Sequence, residues 1–369
     1  MHNKKIKLIF FHPYSVIGGA DLSLSTIINN LNMKKYSIDF ICIKRAQNAI
    51  PLNSNIKIYE LKTKKTLFSF FKFRKIIKKN LNLNYKKTII ISNQNFANIT
   101  TYFFTLNLQN KLRLIAYERN HLNELNYYFN LKDIFKKNLL KLLIKLTYSK
   151  FDKVITNSKE SSKDLEIFIG SKVSTIYNPI KFDNIKNKKK ITTNLLNIIN
   201  IGRLEKQKDH MTLLKTIKIL VKKIKVKLTI IGSGSQYLIL KNCIKDYGIK
   251  KNVQIIKETR DVRDFYLNND LFVSSSLYEG FPNVLVESIM YNVPVISSNC
   301  KSGPKEILIN NNLRNIFKVM DYKELSNKIL YFYYNKDKFN KNNYKIKKNL
   351  SKFYYKRILK KFDKLFNEI

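Results

Sequence analysis

The stretch Leu271–Glu287, LFVSSSLYEGFPNVLVE, constrains the fold of this chain more than any other. Its apolar run ends in small polar residues and predicts a buried strand, while the apolar period from Val284 to Met290 predicts a helix. Pro282 lies in the turn between them, close to the predicted helix start. Backbone N–H groups at a helix start point outward and attract anions. The stretch therefore predicts a strand, a turn and a helix that together present an anion site.

Two carboxylates flank this turn. Glu279 lies on the turn, and Glu287 follows eight residues later, inside the predicted helix. At this spacing both side chains can face one crevice without touching each other. The pair suits a ligand that carries hydroxyl groups and a diphosphate. The plainer alternative is a turn residue and a solvent-facing helix residue.

Strands and helices alternate along the whole chain, which predicts an α/β protein with doubly wound parallel sheets. The predicted strands are Ile6–Phe11, Ser37–Lys44, Ile56–Leu61, Thr88–Ser92, Leu112–Tyr117 and Lys153–Thr156, then Leu196–Ile201, Val226–Ile231, Val253–Ile256, Leu271–Ser276 and Val293–Ser298. Asn178-Pro179 and the lysine-rich run to Asn194 predict a linker. We therefore expect domains at 1–178 and 179–344, with a C-terminal helix at 345–369 that packs back towards the first domain.

Length and composition agree with two globular domains. The chain has 369 residues, of which 44% are hydrophobic, so two buried cores are expected and disorder is not. Its three cysteines, Cys42, Cys243 and Cys300, form no CxxC pair, which predicts buried free thiols in a reducing compartment. The N-terminus predicts a first strand and not a signal peptide, and no apolar run is long enough to span a membrane. A cytoplasmic protein is expected.

The net charge of +44 does not by itself indicate nucleic acid. Lysine, asparagine, isoleucine and tyrosine are abundant together and tryptophan is absent, as in proteins from AT-rich genomes. The remaining positive charge would attract an anionic membrane surface or an acidic substrate. No zinc-ligand spacing, RNA-recognition aromatic pair or basic leucine-zipper region accompanies the charge. A nucleic-acid partner is therefore not expected.

Glycine-containing loops follow several predicted strands. The pair Gly18-Gly19 lies between the first strand and the predicted helix Ala20–Leu31, which is the anion-cradling geometry of α/β folds. Its spacing is not GxGxxG, so a dinucleotide site is not supported. Gly232 and Gly234 follow a strand of the second half. They either approach a ligand or only permit a tight turn, and both interpretations stay open.

Four runs in the second half resemble one family: NIGRLEKQKDH (Asn200–His210), IIGSGS (Ile230–Ser235), Asn268–Ser297 and SGPKEIL (Ser302–Leu308). Together with Gly18-Gly19 and Asn178-Pro179 they look like the retaining GT-B glycosyltransferases of family 4, and the resemblance covers nearly the whole chain. The specific combination is Arg-x4-Lys followed by Glu-x7-Glu with Gly-Phe-Pro inside it. One departure is Asn292, where the family usually has glycine, and asparagine tolerates a positive φ there.

The resemblance implies two Rossmann-like domains that face each other across a cleft, with a nucleotide sugar held mostly by the second. Arg203 and Lys208 match the family's diphosphate-binding pair; alternatively they are ordinary surface charges. Fixed cations can stabilise a departing nucleoside diphosphate without a metal, and the chain contains no Asp-x-Asp. Neither a metal nor a cofactor is therefore expected.

The remaining donor contacts also follow from the resemblance. Glu287 matches the residue that accepts hydrogen bonds from the ribose hydroxyls, and Glu279 the residue that contacts the transferred sugar. Gly18 and Gly19 would let the N-terminal loop approach the donor phosphates. The backbone that would approach sugar and phosphate comprises Phe281, Pro282, Asn283, Val284 and Leu285.

A basic residue is expected near the transferred sugar in the first domain. Family members often place a histidine there, and the strand Leu112–Tyr117 is followed by Glu118-Arg119-Asn120-His121. Either Arg119 or His121 can fill this place, and we take His121 as the catalytic candidate. His210 is expected at the surface with no role.

The segment Leu131–Lys150 is the clearest amphipathic helix of the sequence. Leu139, Leu142, Leu143 and Leu146 recur at helical spacing beside a ladder of lysines. The default expectation is a helix whose leucines face the core. The alternative is a helix on an anionic membrane surface, where apolar and basic faces act together. The phenylalanine-rich run Leu67–Lys79 favours this alternative weakly.

The resemblance implies a retaining, metal-independent hexosyltransferase. It would move a hexose or N-acetylhexosamine from a UDP-sugar to a glycan or lipid-linked acceptor, in capsule or lipopolysaccharide synthesis, at or near the inner face of the cytoplasmic membrane. The alternatives are a sugar-nucleotide epimerase or phosphorylase of the same architecture, and a basic protein that binds polyanions.

Overall fold

The computed structural model describes residues 4–15, 18–46, 49–81, 83–181, 194–257, 259, 261–308 and 313–369. The chain divides into two compact units: residues 1–181 with 353–369, and residues 182–352. The predicted linker after Asn178-Pro179 falls largely on 182–193, outside the described residues. The chain returns to the first unit at Phe353.

The first unit is built on a seven-stranded parallel sheet with the order β5-β3-β1-β6-β7-β8-β9. Its inner strands are rich in isoleucine and are buried on both faces, as parallel sheets require, whereas the edge strand β5 is mostly exposed. A separate short pair joins β2 (Tyr14–Ser15) to β4 (Lys44–Arg45). The sheet strands are β1 Ile6–Phe11, β3 Tyr36–Cys42, β5 Lys57–Glu60, β6 Thr88–Asn93, β7 Arg113–Glu118, β8 Lys153–Thr156 and β9 Val173–Thr175.

Helices cover this sheet. They are α1 Gly19–Asn30, α2 Phe70–Leu81, α3 Asn95–Phe104, α4 Leu131–Thr147 and α5 Lys159–Ile169, with the C-terminal α13 Tyr355–Glu368. Helices α2, α3, α4 and α5 lie side by side, whereas α1 lies against α13. The hydroxyl of Tyr36 donates to Asp363 Oδ1 at 2.6 Å, and its ring meets Phe366 edge-on. These contacts attach the C-terminal helix to the first sheet.

The second unit has a six-stranded parallel sheet with the order β12-β11-β10-β13-β14-β15. Its strands are β10 Leu196–Ile201, β11 Val226–Ile231, β12 Val253–Ile256, β13 Leu271–Ser274, β14 Val295–Ser298 and β15 Ile316–Phe317. Its helices are α6 His210–Leu220, α7 Tyr237–Asp246, α8 Arg263–Leu267, α9 Asn283–Met290, α10 Pro304–Leu308, α11 Tyr322–Tyr334 and α12 Lys336–Lys348. Five of the predicted strands, namely β1, β8, β10, β11 and β12, have the bounds expected from the sequence.

Two expectations from the sequence, for Asn292 and for the cysteines, can be compared with the structure. Asn292 has a φ of 59°, as expected for an asparagine in place of glycine, and its side-chain oxygen accepts a hydrogen bond from Lys347. None of the three cysteines forms a disulfide among the described residues; Cys42 and Cys300 are buried and Cys243 is half-buried. Burial raises the pKa of the Cys42 thiol to about 12, so this thiol is a poor nucleophile at neutral pH.

Candidate active site

A buried ion pair links two strand ends of the second unit. Lys208 Nζ lies 2.5 Å from Glu279 Oε1, and both side chains are largely buried. Lys208 comes from the loop after β10, and Glu279 from the turn after β13. Since β10 and β13 are neighbours in a parallel sheet, their carboxyl ends meet at one edge. The topology therefore brings together two residues that are 71 positions apart in sequence.

Serine side chains at the end of β13 hold this pair in place. Ser276 Oγ donates to Glu279 Oε1 at 2.6 Å. Ser275 Oγ lies within hydrogen-bond distance of the carbonyl oxygens of Lys208, at 2.8 Å, and Asp209, at 2.9 Å. The small polar residues that end the predicted strand thus fix both members of the ion pair.

Gln207 connects Arg203 to the same turn. Arg203 Nη2 donates to Gln207 Oε1 at 3.0 Å, and Gln207 Nε2 donates to the carbonyl of Tyr278 at 2.9 Å. The N–H of Leu277 donates to the carbonyl of Gln207 at 2.8 Å. Sequence reasoning missed Gln207, although it lies inside the Arg-x4-Lys motif. The structure thus brings the predicted residues Arg203, Lys208 and Glu279 into one hydrogen-bonded cluster.

The predicted glycine loop packs against the loop that carries Arg203. A Cβ on Gly232 would lie 2.0 Å from the carbonyl oxygen of Gly202. Gly234 has a φ of 152°, and its Cβ would lie 2.5 Å from the carbonyl oxygen of Leu204. Close packing against neighbouring backbone therefore requires glycine at both positions. Their contact with a donor stays a prediction.

A Gly232→Ala substitution is expected to destabilise the second unit, because the new methyl group would displace the Gly202 backbone. The expected loss is roughly 2–4 kcal/mol of unfolding free energy, as for overpacked cores and strained loops. The matched control is Gly248→Ala, at a φ of 67° with nothing within 4 Å of the Cβ, which should cost about 1 kcal/mol. Chemical denaturation measures both. Equal losses would contradict the close-packing explanation.

The turn after β13 is braced from another loop. Ser302 Oγ donates to the carbonyl of Gly280 at 2.5 Å, and a Cβ on Gly303 would lie 2.3 Å from Pro282 Cδ. Helix α9 begins at Asn283 and has no side-chain cap. The N–H of Leu285 donates to the carbonyl of Pro282, so it is already used within the first turn. The predicted residues Phe281, Pro282, Asn283, Val284 and Leu285 thus form a braced turn and helix start.

Glu287 has a hydrogen-bond partner of its own, away from the Lys208 cluster. The hydroxyl of Tyr266 donates to Glu287 Oε2 at 3.2 Å, and the Tyr266 ring stacks on Tyr291 with centroids 5.1 Å apart. Burial raises the pKa of Glu287, an effect that the Tyr266 hydrogen bond opposes. Tyr266 lies on α8, and no sequence pattern connects it with Glu287. The two predicted carboxylates therefore have different surroundings.

In the first unit, Arg119 is a buried cation at the carboxyl end of β7. Its guanidinium lies 4.6 Å from the ring centre of Tyr117, and Nη2 donates to the carbonyl of Ala20 at 3.3 Å. Nε and Nη1 are buried without a hydrogen-bond partner among the described residues. Gly18 is the N-cap residue of α1, two residues before Ala20. Arg119 thus lies beside the predicted Gly18-Gly19 loop.

His121 is fixed by neighbours on both sides of its ring. Its Nδ1 accepts a hydrogen bond from the N–H of Asn123 at 2.9 Å, and its Nε2 lies 3.1 Å from Asp164 Oδ2. The side chain is buried. Arg119 has fewer local hydrogen-bond contacts than His121 among the described residues, and which of the two serves a sugar stays a prediction.

A buried carboxyl group shapes the backbone that carries Arg119. Glu118 Oε1 accepts hydrogen bonds from the N–H groups of Arg119, at 2.9 Å, and Asn120, at 3.1 Å. Its other oxygen accepts one from the Tyr148 hydroxyl at 2.5 Å, and Asn98 donates to that hydroxyl at 2.9 Å. Burial raises the pKa of Glu118 to about 7.

A Glu118→Gln substitution should change how stability depends on pH. The fold favours the protonated carboxyl, so between the ordinary pKa of 4.5 and the folded value of about 7 the folded chain keeps a proton that the unfolded chain loses. Glu118 therefore stabilises less as pH rises through this window, by up to about 3 kcal/mol. Denaturation at pH about 4.5 and about 8 should show a smaller fall in the free energy of unfolding for the variant than for the unchanged chain. The exposed control Glu368→Gln should match the unchanged chain, and the same fall in all three would contradict the prediction.

The expectation that His210 lies at the surface is wrong. Its side chain is buried, and Nε2 lies 3.0 Å from Asn200 Oδ1. Burial lowers the pKa of His210 to about 3, so the ring is neutral at ordinary pH. Asn200 in turn donates to the carbonyl of Val273, and the histidine therefore helps to join β10 to β13.

Comparisons with known proteins agree with this geometry. Residues 181–350 match the family model of the glycosyl transferases group 1. An uncharacterized glycosyltransferase of Methanocaldococcus jannaschii is 31% identical over 191 residues, which is 47% of this chain and 47% of that protein. The chain therefore matches about half the length of that relative. The amylovoran biosynthesis glycosyltransferase AmsD of Erwinia amylovora is 25% identical over 82% of this chain and 83% of its own length.

Solved structures show a likeness over the whole chain. HepE of Anabaena, in complex with UDP and glucose, superposes with a TM-score of 0.80 at 16% identity and covers 98% of this chain and 100% of its own. A sucrose-phosphate synthase of Thermosynechococcus elongatus has a TM-score of 0.82 at 14% identity, over 99% of each chain. These likenesses concern the fold, and they confirm the predicted class of two Rossmann-like domains. The chain therefore has the GT-B fold, and residues 181–350 match the glycosyl transferases group 1 family.

Proposed function

We propose that this protein is a retaining glycosyltransferase that transfers a hexose or N-acetylhexosamine from a UDP-sugar. The observation that carries the proposal is the cluster of Arg203, Lys208 and Glu279 at the carboxyl edge of the second sheet. Two cations beside a helix start suit a diphosphate, and a carboxylate in the same cluster suits the hydroxyl groups of a sugar.

The cluster can stabilise the charge that develops when the donor breaks. An ammonium group has three N–H donors, so the contact with Glu279 leaves Lys208 able to bond a phosphate oxygen. Arg203 can offer its planar guanidinium, which Gln207 orients. Fixed donors of this kind act where charge appears in the transition state and need no metal ion. We propose that the protein uses neither a metal nor another cofactor.

The two carboxylates would contact different parts of the donor. Glu287, oriented by Tyr266, would accept hydrogen bonds from the ribose hydroxyls. Glu279 would hold the transferred sugar while its partner Lys208 holds the phosphate. The anomeric carbon would then lose its bond to the phosphate oxygen and gain one to the acceptor oxygen on the same face. Because departure and attack use the same face, the configuration would be retained, and the acceptor proton would pass to the leaving phosphate oxygen.

In the first unit we propose Arg119 as the basic residue that serves the transferred sugar, in place of His121. Its guanidinium has two buried N–H groups without a partner among the described residues, whereas His121 contacts Asn123 and Asp164. The backbone bonds from Glu118 fix the position of the loop.

The acceptor is proposed to be a growing surface glycan, most simply one carried on a lipid. One relative from Campylobacter jejuni, 32% identical over 49% of its own length, is named as an N-acetylgalactosaminyltransferase acting on a diphospho-undecaprenol-linked sugar. A relative from Staphylococcus aureus, 28% identical over 79% of its length, is named for capsular polysaccharide biosynthesis. These names support an enzyme of capsule or related polysaccharide synthesis, and we propose that it works in the cytoplasm at the membrane surface.

The test is a panel of UDP-sugars incubated with the full chain and a bacterial pool of lipid-linked glycans, with products identified by mass spectrometry. One UDP-sugar should add a single sugar mass to one acceptor and release UDP only when the acceptor is present. Conversion of a donor without acceptor would point to an epimerase. No product from any donor, together with binding to polyanions, would replace the proposal with a polyanion-binding protein.

A further inference from the structure

Helix α4 turns most of its leucines away from the core. Leu139, Leu142 and Leu146 are exposed, and only Leu143 of the four predicted leucines packs against the core. The two most exposed apolar residues of the helix are Leu131, at 84%, and Phe135, at 75%. The default expectation of a core-facing leucine stripe is therefore wrong. The chain places large apolar side chains in water at a cost that a monomeric soluble protein normally avoids.

The exposed apolar surface continues onto the two neighbouring helices. On α2 and the turn before it, Phe71 is 82% exposed and Phe68 is 68% exposed. On α3, which lies between α2 and α4, Phe96 and Phe103 are exposed. We call this surface of α2, α3 and α4, with the preceding turn Thr66–Ser69, the three-helix face.

The charge of the three-helix face is far more one-sided than that of the chain. Helices α2, α3 and α4 contain ten lysines and arginines and one acidic residue, Asp133. The whole chain has 70 basic and 26 acidic residues. The next helix along, α5, has two lysines and three acidic residues. A compositional bias of the genome would not confine the acidic residues to α5, so the segregation belongs to the surface.

We propose that the three-helix face docks on an anionic lipid bilayer. Exposed phenylalanine and leucine can enter the headgroup region while the lysines around them pair with anionic headgroups. A second copy of the chain would bring two rows of lysines together, which like-charge repulsion opposes. Among the described residues no helix is long and apolar enough to cross a bilayer, so the attachment would be peripheral.

The proposal deepens the proposed function and rests on it in one respect, the lipid-linked acceptor. Such an acceptor is confined to the membrane, and an enzyme held at the surface meets it at a higher local concentration. Helix α4 ends at Thr147, and the hydroxyl of the next residue, Tyr148, donates to Glu118 beside Arg119. The docking face and Arg119, the basic residue proposed for the reaction, therefore lie in the same unit.

The test is flotation of the full chain with vesicles of phosphatidylcholine alone or mixed with phosphatidylglycerol. The unchanged chain should float with the anionic vesicles at low salt and much less with neutral ones. Three substitutions of exposed apolar residues on the face should lower binding about tenfold or more. The test variant is Phe71→Ser with Phe135→Ser and Leu142→Ser; the matched control, equally exposed elsewhere, is Ile167→Ser with Leu238→Ser and Tyr334→Ser.

A second pair of variants separates charge from apolar contact. Loss of three lysines from the face should weaken binding by about a hundredfold, since each contributes roughly a fivefold factor near an anionic surface. The same number of lysines removed from the second unit should have little effect. The test variant is Lys72→Gln with Lys136→Gln and Lys145→Gln; the control is Lys241→Gln with Lys245→Gln and Lys250→Gln.

Three results would overturn the proposal. The unchanged chain could stay in the soluble fraction at low salt, or the face variants could float as well as their controls. A dimer that the Phe71, Phe135 and Leu142 substitutions dissociate, without flotation, would assign the face to a second copy. Stabilisation by UDP is measured on the same variants. It shows whether the donor site is intact, and so distinguishes a failure of the docking face from a failure of the proposed function. Flotation without sugar transfer would remove only the proposed function, and transfer without flotation only the docking face.

Discussion

Replacement of Lys208 by methionine is expected to lower kcat for sugar transfer by roughly 10²–10³-fold, the effect of losing one fixed donor to a developing oxyanion. Lys208 Nζ lies 2.5 Å from Glu279 Oε1, and its stem packs beside Gly202. Methionine keeps most of that stem and removes the charge. Loss of the cation affects the departing diphosphate more than the bound donor, because charge on the leaving oxygen grows in the transition state.

The control is Lys206→Met, which removes an exposed lysine of the same short turn. This variant should keep turnover within about twofold, as expected for an exposed surface charge. Initial rates with saturating UDP-sugar measure kcat for both variants, and thermal unfolding confirms that both are folded. A folded Lys208→Met enzyme with the turnover of the Lys206→Met control would remove Lys208 from the chemistry.

The second large effect concerns Glu279 and Glu287, whose substitutions should change different kinetic parameters. Glu279→Ala should mainly slow transfer, with kcat down by roughly 10²-fold, because Glu279 lies in the cluster with Lys208 and Ser276. Glu287→Ala should mainly raise the donor KM, by roughly 10-fold or more, the value of a hydrogen bond to a charged group. Its partner Tyr266 lies outside that cluster.

The measurement is a full kinetic analysis of each variant against donor concentration, with UDP binding followed separately. Tyr266→Phe gives a milder version of the Glu287 effect, because the carboxylate stays and only its orienting hydroxyl is lost. It should raise KM and leave kcat nearly unchanged. Equal changes of kcat and KM in Glu279→Ala and Glu287→Ala would count against the division of the donor between the two residues.

Residue pattern was sufficient to predict the sheets and the main cluster. Strands of parallel sheets are continuous apolar runs, so β10, β11 and β12 could be bounded from sequence. The motif that contains Arg203 and Lys208 and the turn that contains Glu279 come from adjacent strand ends, and a parallel sheet brings such ends together. Short edge strands such as β15, with two residues, have too few residues to show a pattern.

Contacts between side chains of different elements could not be predicted in the same way. Gln207 bonds the carbonyl of Tyr278 and Tyr266 bonds Glu287, and neither pair shares a sequence pattern. Burial of His210 depends on Asn200, which reaches it across the strand end.

The orientation of α4 could not be predicted from the sequence either. A leucine period predicts an amphipathic helix, but not whether the apolar side meets the core or a lipid. Leu140 and Leu143 pack on the core, and Leu139, Leu142 and Leu146 do not.

The stereochemistry of the product tests the central claim most directly. Sugars of common UDP donors are α-linked, so a retaining enzyme makes an α-linked product. The product is made from the UDP-sugar that the unchanged enzyme accepts, and its proton NMR spectrum is recorded before any rearrangement. For a gluco- or galacto-configured sugar, the spectrum should show the small anomeric coupling of an α-linkage. UDP should be released in equal amount. A β-linked product, or UDP release that does not depend on an acceptor, would contradict the account.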